Sequence, residues 1–276
     1  MMKKCLLVLF GLGIGLNAYG EGVVLSSSSV EEEDIVMEES LPAPTTTNYS
    51  GQEISAQSLL EKDTSDPLFL TGDNQFLSDT YVNFFDKKLR FGQYIDYGIN
   101  NNLVLHVSML YQWDLSGHHE NGFSSTEFGG VYRINHGNGA SHIISDVLFG
   151  LKAWGSSHVR TPEYADSSYY AGYRFGRRYT GVSLAGTIKS TWVFDNDRGL
   201  SYIDFIPEAY FRFKYDWRAG IGLDIRQSTN TRLLDDQEWL NLKLLRQYGN
   251  TQYVARFDYE FESSEIQVGA NIKILF

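Results

Sequence analysis

The sequence predicts an all-β protein, a transmembrane antiparallel β-barrel of twelve strands with ten as the alternative count, preceded by a disordered acidic segment. Three observations carry this. First, the last strand alternates: Ile266, Val268, Ala270, Ile272, Ile274 and Phe276 share one parity, and Gln267, Gly269, Asn271 and Lys273 share the other, with only Leu275 out of place. Such a strand has one apolar and one polar face, as required where lipid lies on one side and a polar lumen on the other. Second, the pattern recurs in stretches of about ten to fourteen residues, longer than the usual globular strand and suited to a tilted membrane crossing. Third, short and long connections alternate, as in barrels with short periplasmic turns and longer outer loops, except that 136–140 is somewhat long for a periplasmic turn and 87–88 and 263–264 are short for outer loops.

The chain opens with a signal peptide over residues 1–20. Lys3 and Lys4 form a positive n-region, Leu6 to Leu16 an apolar h-region, and Ala18-Tyr19-Gly20 a small-x-small cleavage site. The apolar run is too short to span a bilayer as a helix. The single cysteine, Cys5, lies inside this segment, so the mature chain is expected to hold no disulfide and no thiolate metal site.

Residues 21–75 read as a disordered acidic periplasmic segment. Residues 21–74 carry twelve acids and one base, Lys62, with almost no aromatics. A segment so charged and so poor in apolar residues repels itself and cannot build a core. A short helix over Ile54 to Lys62 is its only regular element, and a weak one. From Gln75 onward the acids number 22 and the bases 20. The formal charge of -11 therefore belongs almost entirely to the segment. No basic helix or basic patch with stacking aromatics appears, which argues against nucleic acid as a partner.

Residues 76–276 form the barrel, with strands expected near 77–86, 89–99, 103–115, 126–135, 141–154, 167–177, 180–194, 201–213, 217–228, 238–247, 251–262 and 265–276. The eighth sets Ile203, Phe205, Ala209, Phe211 and Phe213 against Asp204, Glu208, Tyr210 and Arg212. The ninth sets Trp217, Ala219, Ile221, Leu223 and Ile225 against Arg218, Gly220, Gly222, Asp224 and Arg226. The eleventh sets Tyr253, Ala255, Phe257, Tyr259 and Phe261 against Gln252, Arg256, Asp258 and Glu260. Pro207 removes one ladder bond within the eighth strand and predicts a bulge there. Tyr97, Tyr111, Trp113, Trp154, Tyr169, Trp192, Tyr202, Trp217 and Tyr253 lie near strand ends, where aromatic girdles meet the two membrane interfaces.

The ending resembles the carboxy-terminal insertion signal of bacterial outer-membrane β-barrels, polar-x-Gly-x-x-apolar-x-apolar, with Gln267, Gly269, Ile272 and Ile274 in those places and Phe276 last. More broadly, the signal peptide and residues 77–276 resemble small Gram-negative outer-membrane barrels as a class. The resemblance implies an outer-membrane location, with membrane lipid and the barrel-assembly machinery as partners and no cofactor. His118-His119-Glu120-Asn121-Gly122 faintly resembles the His-x-Ser-Asn-Gly stretch of outer-membrane phospholipase A. Glu120 stands where that family has its nucleophilic Ser, and a carboxylate does not replace it in such hydrolysis, so a solvated loop is the simpler reading. His118, His119, His136 and His142 have no spacing that requires a metal.

By parity the lumen carries charge of both signs, with Arg174, Arg178, Lys189, Glu208, Arg212, Asp224, Arg226 and Lys243 as the lining candidates. A twelve-stranded barrel leaves a passage of roughly 5–10 Å once side chains are placed. Two readings stay open: ion pairs closing the lumen as a structural core, or a narrow porin-like channel for small polar or anionic solutes. The excess of bases on strands six to ten leans toward anions. An autotransporter-like translocating barrel and, further off, a lipid-modifying enzyme complete the alternatives. Two local expectations follow. Glu208, Arg212, Asp224 and Arg226 should form one network. The acidic segment should either dock at the periplasmic mouth, near Arg133, Arg177, Arg178, Lys214, Arg218, Arg246 and Lys273, or remain a solvated linker, the simpler of the two since charge is screened within about 8 Å.

Overall fold

The computed structural model describes residues 63–116, 121–137, 142–154, 167–194, 201–213, 216–231 and 234–276. The signal peptide, the segment up to residue 62 with its expected helix, and His118, His119 and Glu120 lie outside the described residues. The strands are β1 (Phe76–Phe85), β2 (Lys88–Gly98), β3 (Leu103–Asp114), β4 (Gly122–His136), β5 (Ile144–Trp154), β6 (Ser168–Arg178), β7 (Val182–Val193), β8 (Ser201–Arg212), β9 (Trp217–Ser228), β10 (Gln237–Tyr248), β11 (Thr251–Glu260) and β12 (Ile266–Leu275). Each pairs antiparallel with its neighbours, and β12 returns to β1, closing the barrel. Closure satisfies every strand edge internally, which lipid cannot do. Phe276 completes it: its N–H donates to the Phe76 carbonyl at 2.8 Å and its carbonyl accepts from Phe76 N–H at 3.2 Å.

Both ends of the barrel wall sit on the side of the short turns 99–102, 179–181, 213–216 and 249–250. Most of the longer connections lie at the other end, with 137–143 on the short-turn side and the tight turn 86–87 opposite it as exceptions. The outer face is apolar, with Phe84, Phe128, Leu151, Ile188, Leu244 and Ile272 all exposed. A closed barrel with such a belt is built for lipid. Aromatic pairs ring both ends. Phe76 stacks on Tyr97 at 4.5 Å and Tyr248 meets Tyr253 at 6.1 Å at the short-turn end. Tyr169 stacks on Trp192 at 5.0 Å, and Tyr111 meets Trp113 at 4.6 Å, at the other. Tyr202 departs from the expected girdle. It points inward and is buried, with the Arg226 guanidinium 4.2 Å from its ring.

Two local departures have physical causes. β4 begins at Gly122, earlier than its pattern suggests. A register shift between Leu110 and Tyr111 lets Phe123 pair opposite Tyr111, where the two rings meet edge-on at 5.2 Å. Pro207 makes no bulge. It sits opposite Gly186 in unbroken register with β7, and the β8–β9 ladder merely skips from Phe205↔Ile225 to Glu208↔Gly222 without shifting. The lost N–H costs one rung and leaves the alignment intact.

The inward parity is less polar at the short-turn end than alternation implies. Leu77, Val104, Ile144, Leu245, Val254 and Leu275 all face inward there and are buried. Leu275, the exception in the terminal strand, lies directly opposite Leu77. These residues line the part of the lumen that residues 63–75 fill.

Candidate lumen site

Residues 63–75, expected in the disordered segment, are ordered inside the short-turn end. Asp63, Thr64, Asp66, Leu68 and Thr71 are buried there. The stretch folds on itself first: Asp66 N–H donates to the Asp63 carbonyl at 3.0 Å, Phe69 N–H to the Asp66 carbonyl at 2.8 Å, and Leu68 N–H to Asp66 Oδ1 at 2.8 Å. This is an Asx-type turn that presents both carboxylates to the wall. Leu68 follows as the apolar anchor, fully buried. Gly176 leaves the room it needs, since a Cβ there would sit 2.9 Å from Leu68 Cδ2. The chain then joins the sheet, with Asn74 N–H donating to the Gly98 carbonyl and Gly98 N–H to that of Gln75.

The wall receives these groups with donors from seven strands. Asp63 accepts from Tyr210 Oη at 2.6 Å, Gln252 Nε2 at 2.9 Å, and the Nε atoms of Arg212 and Arg218 at 3.3 Å each. Asp66 Oδ2 accepts from Arg178 Nε and Ser183 Oγ, both at 2.9 Å, and from Arg212 Nη2. The Leu68 carbonyl accepts from Arg178 at 2.7 Å and Arg133 at 2.8 Å. Lys273 reaches the Thr64 carbonyl at 3.4 Å. Such charge-assisted contacts away from water are the strong class of hydrogen bond.

Of the cations expected at this mouth, Arg133, Arg178, Arg218 and Lys273 engage the stretch. Arg177 and Arg246 do not. The Arg177 guanidinium lies over the Tyr179 ring at 5.0 Å and that of Arg246 over Tyr248 at 4.6 Å, among the outer-face aromatics. Lys214 lies outside the described residues. Asp63, Asp66 and Ser183 are site residues that parity reasoning passed over, while Tyr210 and Gln252 were placed on the inward faces but not named as lining candidates. One signal was available: Leu68-Phe69-Leu70 is an apolar run within an otherwise polar segment, directly before the first strand.

The remaining candidates gather around carboxylates of the wall. Arg174 binds Asp146 at 2.5 Å, with Arg133 on the other oxygen at 2.8 Å. Arg226 binds Asp204 at 2.6 Å, and Lys189 joins it at 3.3 Å. Lys243 reaches Glu208 at 3.2 Å. Glu208 faces Gly222 and Asp224 faces Trp239, so these two carboxylates are not cross-strand partners. Arg212 is drawn away by Asp63 and Asp66. The register of β8 against β9 sets Glu208 against Gly222 and Arg226 against Asp204.

Beyond the pairs, at the end with the longer connections, lies a cavity of about 420 Å³ lined by Lys88, Arg90, Asp224, Arg226, Arg256 and Asp258 among others. Gln267 also lines it, while Ile272 and Phe276 face outward and are exposed. Gly269 lies between Asn83 and Arg256 on the flanking strands, and Ile274 opposite Thr251.

No family model and no curated protein sequence matches the chain. Solved structures do. The KdgM porin aligns with a TM-score of 0.55 at 14% identity, over 72% of this chain and 98% of its own. The NanC porin aligns with 0.54 at 9% identity, over 71% and 98%. The fold is that of porin-like outer-membrane barrels. An outer-membrane channel from Pseudomonas putida F1 shares it, with a TM-score of 0.53 at 10% identity over 75% of this chain and 97% of its own.

Proposed function

We propose that the protein is an integral outer-membrane channel of a Gram-negative bacterium, of narrow bore, for small polar or anionic solutes, acting by passage rather than catalysis. The observation that carries this is the charge of the lumen wall on β6 to β10. Arg178, Lys189, Arg212, Arg218, Arg226 and Lys243 face inward there against Asp204, Glu208 and Asp224. A wall with surplus bases raises the local concentration of anions, although Asp63 and Asp66 meet part of this surplus at Arg178, Arg212 and Arg218. The cavity near the longer connections supplies the wide vestibule. On this reading Gln267, Gly269, Ile272, Ile274 and Phe276 are what the assembly machinery recognises.

A closed structural barrel is the second reading, favoured by the tight packing of residues 63–75. A translocating barrel fits less well. The partners of residues 63–75, such as Arg178, Arg218, Gln252 and Lys273, all lie at the short-turn end, so this stretch does not run through to the other mouth. Single-channel recording of the full chain in planar bilayers, under a salt gradient, tests the channel. Unitary currents with a reversal potential shifted toward that of chloride are expected. A correctly folded barrel that stays silent at all voltages, both as it is and with Asp63→Asn and Asp66→Asn together, overturns the channel and leaves the closed barrel.

A further inference from the structure

The most unusual placement in the lumen is that of Arg212 and Arg218. They lie directly opposite each other across the β8–β9 hairpin, and like charges in that relation destabilise a sheet. Among the described residues, no carboxylate of the wall pairs with them. Among the described residues, the acids paired with Arg178, Arg212 and Arg218 all come from residues 63–66. Asp63 Oδ2 accepts from both opposed guanidiniums, and Arg212 also reaches Asp66. Neutral donors complete the cradle: Tyr210 Oη, Gln252 Nε2 and Ser183 Oγ all point at carboxylate oxygens. One donor remains, since Arg212 Nη1 is buried with no protein partner among the described residues. A barrel wall that needed only to be stable would pair its own charges, as Asp204 does with Arg226 on this same hairpin.

We propose that Arg178, Arg212 and Arg218, with Ser183, Tyr210 and Gln252, form a lumen binding site for carboxylate solutes, and that Asp63 and Asp66 are its tethered occupants. The proposal deepens the channel reading by naming the solute class and the site that selects it. Two carboxylates three residues apart in one turn share the Arg212 guanidinium, so the matching solute carries two carboxylates a short distance apart. The segment competes with it. A tethered group acts at an effective concentration in the millimolar range, so displacement requires solute at that level or above. When the segment leaves, its arginines are exposed to the passing anion and the short-turn mouth is cleared.

Succinate, a small dicarboxylate, is the probe. Hydrogen–deuterium exchange of the full chain in detergent micelles reads the N–H groups of Leu68 and Phe69, which donate to Asp66. Succinate at about 50 mM, above the millimolar effective concentration of the segment, should speed their exchange at least tenfold over sodium chloride of equal ionic strength. Amides of β10 should be unaffected. Equal exchange in both salts overturns the proposal. A second measurement uses the full chain with Asp63→Asn and Asp66→Asn. Calorimetric titration should show succinate binding at least tenfold tighter than to the unaltered chain, and equal or absent binding overturns the site. The outcomes separate the two readings. Succinate binding without ionic current sinks the channel and keeps the site, whereas current indifferent to succinate sinks the site and keeps the channel.

Discussion

Arg178 Nε and Asp66 Oδ2 are 2.9 Å apart although 112 residues separate them in the chain. The aspartate is buried and the arginine ends β6 at the short-turn mouth. This pair ties the stretch before the first strand to the middle of the barrel wall. It makes residues 63–75 a part of the lumen rather than an appendage to it.

Replacing Arg178 with Met should therefore loosen the stretch before it loosens the barrel. Breaking a buried ion pair costs about 3–5 kcal/mol when the remaining charge is trapped. Here the charge can escape with its segment, which caps the loss at the free energy of docking. Limited proteolysis should show cleavage within residues 63–75 at least tenfold faster, with the heat-modifiable mobility of the barrel unchanged. Loss of the folded barrel itself would mean that the stretch belongs to the core.

Arg226 presents the opposite case. Its partner Asp204 has a fully buried side chain on a fixed strand, with Lys189 as a second, longer contact. The aspartate cannot leave. Arg226→Ala should cost less than the roughly 3–5 kcal/mol of a wholly uncompensated buried charge, because Lys189 still reaches Asp204, and the loss should read as a lower unfolding midpoint in urea. Arg226 also lines the cavity, so an open lumen should shift toward cations in reversal-potential measurements. Lower stability with unaltered selectivity would favour a closed core.

The two faces of β9 give a paired test of orientation. Leu223 has the lipid-facing parity, and Gly222 faces the lumen opposite Glu208. Leu223→Arg should cost about 2–4 kcal/mol near the bilayer midplane. At Gly222 a Cβ would sit 3.1 Å from the flexible Glu208 side chain, beside a carboxylate, so Gly222→Arg should cost less. Equal tolerance of the two in a vesicle-refolding assay would contradict the assigned faces.

Phe276 should be needed for assembly beyond its two backbone bonds to Phe76. Its side chain is 69% exposed on the outer face, available to a partner or to lipid. Deleting it should reduce the heat-modifiable fraction recovered from outer membranes. Refolding of the purified chain into detergent should suffer less, because β1 and β12 remain paired over Leu77 to Phe84. Equal losses in both assays would assign Phe276 to closure alone.

The alternation of the terminal strand, and of β8, β9 and β11, determined the barrel from sequence. Each crossing strand meets lipid on one face and the lumen on the other, so the constraint is local and is written at every second residue. The same logic placed Lys189, Glu208, Asp224, Arg226 and Lys243 inside without any knowledge of the fold. It could not choose their partners, because a partner depends on register, and register decided that Glu208 meets Gly222 and Arg226 meets Asp204. Nor could it place Tyr202 or Leu275, whose neighbours come from other strands or from the ordered stretch at the mouth. Asp63 and Asp66 show the limit most clearly. Read locally they continue an acidic, self-repelling segment, because composition counts only nearby charges. The closed barrel brings Arg178, Arg212 and Arg218 to one point, up to 155 residues away in sequence, and only that convergence turns two tail aspartates into buried, fully liganded groups.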